Sequence, residues 1–157
     1  MIDDNTWGGT MADHEGTGGP DAMIERLLAA TNRHDLDALV DCFTPDYRNE
    51  TPVHPARGFQ GQDQVRRNWE QIFSFVPDIA ARVVRRVIDG DTVWSEWEMS
   101  GTRRDGSLHV MRGVILFGVR EGRAGWARFY LEPVDEGAGD VNAAVSRAVA
   151  PRVATGQ

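Results

Sequence analysis

Two glutamates separated by one residue are the first candidate catalytic groups in this sequence. They lie in the stretch VWSEWEMSG, where Glu96 and Glu98 alternate with Trp97 and Met99. Successive side chains of a strand point to opposite faces. One register therefore gives the interior a pair of carboxylates suited to acid/base chemistry, and the other register gives it an apolar wall. The function depends on which of these two faces is buried.

Four further side chains are candidates for contact with a substrate. Tyr47 can donate to a substrate oxygen or hold a water, or its ring can close the edge of the core. Asn49 follows two residues later on the same side of the segment and can orient a carbonyl or bond the adjacent loop. His54 and His109 are candidate general bases because histidine titrates near neutral pH. His54 lies in PVHP, where an exposed loop histidine without a role would look the same.

The sequence lacks the residue patterns of metal sites, nucleotide-binding loops and serine hydrolases. No His, Cys, Asp and Glu cluster has metal-ligand spacing, and neither a Gly-rich phosphate loop nor a GxSxG elbow occurs. We therefore expect no metal and no other cofactor. The net charge of -7 disfavours binding to nucleic acid. Cys42 is the only cysteine, and the apolar stretch LVDCF around it favours a buried, inert thiol.

The chain has the length and composition of one domain with its own core, at 157 residues and 41% apolar content. Residues 1–19 are acidic and Gly-rich, which predicts a disordered N-terminal tail and not a signal peptide. Residues 20–136 are predicted to form the domain. Residues 137–157 are predicted to be a C-terminal tail with a short helix around residues 141–149, held loosely or in contact with a second subunit. No apolar run approaches the roughly 20 residues of a membrane span, so we expect a cytoplasmic location.

Apolar residues at helical spacing predict three helices in the first half of the domain. The first begins at Pro20 and ends near Asn32. The second follows Asp35 as its N-cap and is stopped by Pro45. A short extended piece and a Pro/Gly-rich loop lead to the third helix, which is predicted over residues 62–75.

From Pro77 onward the apolar period changes to two. Four segments are predicted as strands, at residues 79–89, 92–102, 108–120 and 124–134. The short connections GD, RRDG and EGR between them are typical of hairpins. Three helices followed by a meandering antiparallel sheet predict an α+β fold with the helices packed on one face of the sheet.

This order of elements resembles the nuclear-transport-factor-2-like superfamily, and within it the SnoaL-like branch, over about residues 20–136. The resemblance rests on NRHDLDALVDCFTPDY at the second helix and GQDQVRRNWEQIF at the third. Within the branch the chain is similar to the limonene-1,2-epoxide hydrolases, through YRN at residues 47–49, GQD at residues 61–63 and EGR at residues 121–123. The resemblance implies a cone-shaped barrel, in which a strongly curved antiparallel sheet and the helices enclose an apolar pocket, and it implies a homodimer.

The resemblance also implies which residues meet the substrate. In the epoxide hydrolases the tyrosine and asparagine of the first motif hold the nucleophilic water, and Tyr47 and Asn49 match them. The catalytic arginine and aspartate of that family match Trp97 and Met99, and its second catalytic aspartate matches Phe129. The pocket is therefore expected to lack the acid/base groups of its relatives. The loop of His54 covers the pocket mouth in related proteins.

The hairpin SGTRRDGSLHVMR gives an independent prediction of the register. With residues 104–106 as a three-residue loop, Met99 lies opposite Met111 and Glu98 lies opposite Arg112. Matching charges and apolar groups in this way stabilises a sheet by roughly 0.2–1 kcal/mol per pair. A two-residue Asp-Gly turn would instead push Arg112 toward the interior without a partner, at a cost of roughly several kcal/mol. We therefore favour the three-residue loop.

This register assigns each side chain of the last three strands to a face. The inward residues are Ser95, Trp97, Met99, Met111, Gly113, Ile115, Phe129 and Leu131. The outward residues are Glu96, Glu98, Arg112, Arg128, Tyr130 and Glu132. Anchoring the last strand on Trp126 instead would turn Arg128 and Tyr130 inward. The residues expected to bind the substrate are Trp69, Phe73, Trp97, Met99, His109, Met111, Ile115, Phe129 and Leu131, with Tyr47, Asn49 and His54 as catalytic candidates.

Such a pocket suits a large apolar substrate that needs few directed hydrogen bonds. The leading hypothesis is a cofactor-independent tailoring enzyme that cyclises or isomerises a polyketide- or terpenoid-like intermediate. It would act mainly by positioning reactive groups, and a cycloaddition fits this better than a hydrolysis. The first alternative is epoxide hydrolysis or epoxide-opening cyclisation with Tyr47 and Asn49. The second is a carrier or sensor of a hydrophobic ligand without catalysis. The expected partners are a hydrophobic small molecule and a second subunit, and neither nucleic acid nor a membrane.

Overall fold

The computed structural model describes residues 18–152, and the predicted tail residues 1–17 and 153–157 lie outside the described part of the chain. Within residues 18–152 the structure has four α-helices, one short 3₁₀ helix (Pro55–Arg57) and six strands, which confirms the α+β fold. The helices are α1 (Pro20–Arg33), α2 (Leu36–Asp41), α3 (Gln62–Phe75) and α4 (Val141–Val149). The strands are β1 (Phe43–Glu50), β2 (Phe59–Gln60), β3 (Ala80–Asp89), β4 (Thr92–Thr102), β5 (Leu108–Arg120) and β6 (Arg123–Pro133).

The second helix ends earlier than the sequence indicates. Asp35 is its N-cap and accepts from the backbone N–H of Ala38 as expected, but the helix ends at Asp41. Pro45 does not stop a helix and lies inside β1. The ladder between β1 and β6 is interrupted between Phe43 and Arg48, so the missing N–H of the proline breaks no regular pair there.

The sheet is curved and open, with the order β2-β1-β6-β5-β4-β3. Strands β3 to β6 form the predicted antiparallel meander, and β1 joins β6 in parallel. Gly113 allows the backbone of β6 to approach the middle of β5 closely. Its φ is +152°, and a Cβ added there would lie 2.0 Å from the carbonyl oxygen of Tyr130, so a larger residue does not fit.

The predicted register of the hairpin is confirmed. Met99 lies opposite Met111, and Glu98 lies opposite Arg112. The backbone N–H of Gly106 donates to Arg103 at 2.9 Å, and Gly106 has a φ of +85°, which is the left-handed conformation of a three-residue loop.

The core lies between the helices and the concave face of the sheet. Met23 and Leu27 of α1 pack toward Trp97, Ile115 and Phe117 of the sheet. Phe129 lies opposite Ile115 in the ladder between β5 and β6, so the last strand has the register that turns Phe129 inward. Among residues 18–152, none of the helices combines the length and the apolar content needed to cross a membrane.

Candidate functional site

A cavity of about 420 Å³ lies between α3 and the concave side of the sheet. A volume of this order is typical of small-molecule sites. Most of its wall is apolar or aromatic, formed by Phe43, Tyr47, Phe59, Val65, Trp69, Ile72, Ile79, Met99, Met111, Phe129 and Leu131. Its polar lining is formed by Asn49, Thr51, Arg57, Asn68, His109 and Glu132. The cavity is therefore an apolar chamber with a few polar groups.

The structure brings eight of the twelve predicted site residues together in this wall. They are Tyr47, Asn49, Trp69, Met99, His109, Met111, Phe129 and Leu131. The other four lie elsewhere. Trp97 and Ile115 face the concave side but lie in the core beside the cavity, fully buried. Phe73 stacks on His34, with 4.6 Å between the ring centroids, and His54 lies outside the wall.

Both glutamates of β4 lie on the outer face of the sheet, where arginines hold them. Glu98 binds Arg82 at 2.6 Å and lies 3.5 Å from Arg112. Glu96 binds Arg85 at 2.8 Å. Neither carboxylate lines the cavity. The stretch VWSEWEMSG therefore contributes Met99, and no acid, to the site.

Tyr47, Asn49 and Thr51 form a hydrogen-bonded chain at the cavity wall, which runs from β1 into the loop that follows it. The hydroxyl of Tyr47 donates to Oδ1 of Asn49 at 3.0 Å, and Nδ2 of Asn49 donates to the hydroxyl of Thr51 at 3.4 Å. Burial raises the pKa of the Tyr47 phenol, so the group stays neutral. The lone pairs of that hydroxyl remain available to a water or a substrate donor.

A histidine and a carboxylate meet beside the cavity. Nε2 of His54 lies 3.0 Å from Oε1 of Glu132, and both side chains are partly exposed. Glu132 lines the cavity, whereas the sequence places it on the outer face. The strand ends at Pro133, so Glu132 sits at the rim, where its long side chain reaches the loop of His54.

His109 of β5 faces the cavity with Arg103 behind it. An Nη atom of Arg103 lies 3.2 Å from Nδ1 of His109. Burial, and then the positive charge of Arg103, lowers the pKa of the His109 imidazole. His109 is therefore neutral at neutral pH.

Some lining residues were not among the predicted site residues. Val65 and Ile72 belong to the apolar face of α3, and a helical stripe of apolar residues does not distinguish the core from a cavity wall. Arg57 and Thr51 lie in the loop after β1, whose path the sequence does not determine. Residues 18–152 contain no group of three or more His, Cys, Asp and Glu side chains that could hold a metal ion.

Comparison with known families identifies the domain to which this fold belongs. Residues 24–129 match the model of the SnoaL-like domain. No curated protein matches the chain.

Several solved structures share the fold. A loop-truncation variant of IdmH has 25% identity, covers 72% of this chain and 92% of its own, and has a TM-score of 0.61. Wild-type IdmH, a proposed polyketide cyclase from Streptomyces antibioticus, has 23% identity, coverages of 72% and 91%, and a TM-score of 0.63. An NTF2-like protein of unknown function from Exiguobacterium sp. 255-15 has 19% identity, coverages of 72% and 98%, and a TM-score of 0.60.

Proposed function

This chain belongs to the SnoaL-like domain family, and on that premise we propose that it is a tailoring enzyme for a large hydrophobic intermediate. The reaction is a cyclisation or an isomerisation of a polyketide- or terpenoid-like substrate. A cycloaddition is the form of cyclisation that we favour. The similarity to IdmH, described as a proposed polyketide cyclase, supports this substrate class.

The observation that carries the proposal is the replacement of acid/base groups by apolar ones in the cavity wall. Met99 and Phe129, which match acidic catalytic positions of the epoxide hydrolases, line the cavity. The nearby glutamates of β4 are held on the other face by arginines. A cycloaddition needs no proton transfer, so an apolar chamber that folds a flexible chain into a reactive geometry is sufficient. Holding two groups in a near-attack conformation can lower a barrier by roughly 7–11 kcal/mol.

Product analysis distinguishes catalysis of a cyclisation or isomerisation from binding without reaction. The protein is incubated with linear polyenes that carry a conjugated diene and an α,β-unsaturated carbonyl, and products are followed by liquid chromatography and mass spectrometry. Cyclisation or isomerisation gives a new species of unchanged mass over many turnovers. Stoichiometric binding without a new species would instead identify a carrier. A ligand-bound structure with Glu96 or Glu98 in contact with the substrate would contradict the proposal.

Epoxide opening is the second candidate, and the chain from Tyr47 through Asn49 to Thr51 favours it. Tyr47 and Asn49 match the water-holding residues of the epoxide hydrolases and line the cavity side by side. The reaction also needs a general base. Because Nδ1 of His109 faces Arg103, the candidate base is His54, with Glu132 to orient it.

Replacement of His54 by glutamine separates the two candidates. If positioning is the mechanism, the His54→Gln variant should keep its turnover of a polyene within about threefold, because no proton is moved. If epoxide opening is the mechanism, turnover of an epoxide should fall by roughly 100-fold or more while ligand affinity stays unchanged. The readouts are initial rates and a ligand titration on the same two proteins. Arg33→Gln, at an exposed position at the end of α1 and outside the cavity, is the control.

We also propose that the protein works as a homodimer that pairs through the outer face of the sheet. Trp94, Trp126 and Tyr130 leave large apolar surface exposed there, which in a monomer is uncommon. Acids and arginines alternate around them, as in the pair of Glu96 with Arg85, so a two-fold axis can bring opposite charges together.

Introduction of a charge on this face should weaken the dimer. Trp94→Glu places a carboxylate in the proposed interface, and its desolvation should raise the dimer dissociation constant by at least about tenfold. Sedimentation velocity across a protein concentration series measures this. Val53→Glu, at another exposed apolar position, is the matched control and should associate like the wild type. A wild type that stays monomeric throughout would overturn the proposal.

A further inference from the structure

The environment of His109 determines which of its nitrogens carries the proton. Nδ1 lies 3.2 Å from a guanidinium nitrogen of Arg103. A guanidinium has only hydrogen-bond donors, so Nδ1 must act as the acceptor in this contact. The imidazole is neutral, because burial and the charge of Arg103 lower its pKa. A neutral imidazole with a bare Nδ1 carries its proton on Nε2.

Arg103 is held in place by the hairpin that it closes. Its backbone N–H donates to Ser107 at 2.8 Å, and its guanidinium also donates to the carbonyl oxygen of Leu108. The ring of His109 lies at the cavity wall, and among residues 18–152 Nε2 has no hydrogen-bond partner. Nε2–H is thus a donor left for whatever fills the cavity.

From this geometry we propose that His109 is a hydrogen-bond donor to a carbonyl oxygen of the substrate, with Arg103 as the residue that fixes its tautomer. The proposal rests on the function proposed above and narrows the substrate to a hydrophobic molecule that carries a ketone, ester or other carbonyl at the hairpin end of the cavity. A donor at that oxygen withdraws electron density from a conjugated double bond. In a cycloaddition this activates the alkene partner, and no proton leaves the histidine.

The surroundings of His109 support a fixed neutral donor. Arg103 is the charged group nearest to it on its own hairpin, and Gly101 lies opposite it on β4. The charged groups in the described cavity wall are Arg57 and Glu132, and Nε2 of His54 holds Glu132 at 3.0 Å. Helix α3 contributes only uncharged groups to the wall.

Nitrogen NMR tests the tautomer without any ligand. The protein is labelled with ¹⁵N in its histidines, His109 is assigned by its loss in His109→Gln, and the ring is titrated with pH. We expect a pyridine-type Nδ1, a protonated Nε2 and a pKa below that of free histidine. Arg103→Met should raise that pKa and mix the tautomers, whereas Arg104→Met, which removes a guanidinium bound to Ser74, should change neither. A protonated Nδ1 in the wild type would overturn the assignment. An unchanged pKa and an unchanged tautomer of the imidazole in Arg103→Met would overturn it as well.

A matched ligand pair tests the donor. Benzophenone and diphenylmethane have nearly the same shape, and only the first has a carbonyl. The wild type should prefer benzophenone by about fivefold to tenfold, which is the value of one hydrogen bond. His109→Phe should lose the preference, and His109→Gln, which keeps a donor, should retain part of it. Equal affinity of the wild type for both compounds overturns this inference alone, while failure of both to bind overturns the proposed function as well.

Discussion

Replacement of Trp97 by alanine should lower the free energy of unfolding by about 3–5 kcal/mol. Trp97 is 1% exposed and packs edge-on against Phe117, with 6.3 Å between the ring centroids. Its indole N–H donates to the hydroxyl of Ser95 at 2.8 Å, and that hydroxyl donates in turn to Ile115 at 2.7 Å. The substitution leaves a cavity in the core and removes a partner from a buried hydroxyl. Urea unfolding followed by circular dichroism measures the loss.

Trp94 provides the matched control on the same strand. Its side chain is 52% exposed on the outer face, so Trp94→Ala should cost less than about 1 kcal/mol. Because this residue lies in the proposed dimer interface, both variants are compared at a concentration where the wild type is monomeric. Equal losses for Trp94→Ala and Trp97→Ala would contradict the register.

The sequence predicts the fold well where the pattern is local. Helix α3 and strands β4 and β5 begin and end at the predicted residues, because periodicity, caps and turn residues are encoded in adjacent positions. The register of the hairpin follows from a short loop with a glycine and from charge pairing across two strands. Pro45 shows the limit of this reasoning, since its place in β1 depends on an interrupted ladder to a strand about 80 residues later in the chain.

The candidate site is predicted less completely than the fold, because it depends on contacts between distant segments. Strand parity indicates correctly that Met99, Met111 and Phe129 face inward. Parity does not tell which inward residue reaches the cavity, so Trp97, in the core beside it, is indistinguishable from Met99 by sequence.

Side-chain contacts between distant segments cannot be predicted from the sequence pattern. The approach of Glu132 to His54 joins a strand end to a loop whose path is set by the rest of the fold. Asn32 is a comparable case outside the site. Its side-chain amide bonds both backbone groups of Ala81, at 2.9 and 2.7 Å, and so ties α1 to β3. Helical periodicity places no special weight on that position.

Replacement of Met99 by glutamate should strongly weaken the binding of apolar ligands. Met99 lines the cavity opposite Met111, so the new carboxylate would lie where the ligand must exclude water. Burying it beneath a ligand costs about 3 kcal/mol or more, which corresponds to a loss of affinity of about 100-fold. Calorimetric titration with diphenylmethane measures the change, and circular dichroism establishes that the variant is folded.

Ser100→Glu introduces the same group one residue later, on the opposite face of the strand. Ser100 is exposed and does not line the cavity, so affinity for diphenylmethane should stay within about threefold of the wild type. The two variants have the same net charge, and therefore long-range electrostatics cannot account for a difference between them. If Ser100→Glu lost the ligand and Met99→Glu kept it, the binding face would be the outer one, and Glu96 and Glu98 would become the acid/base candidates for catalysis.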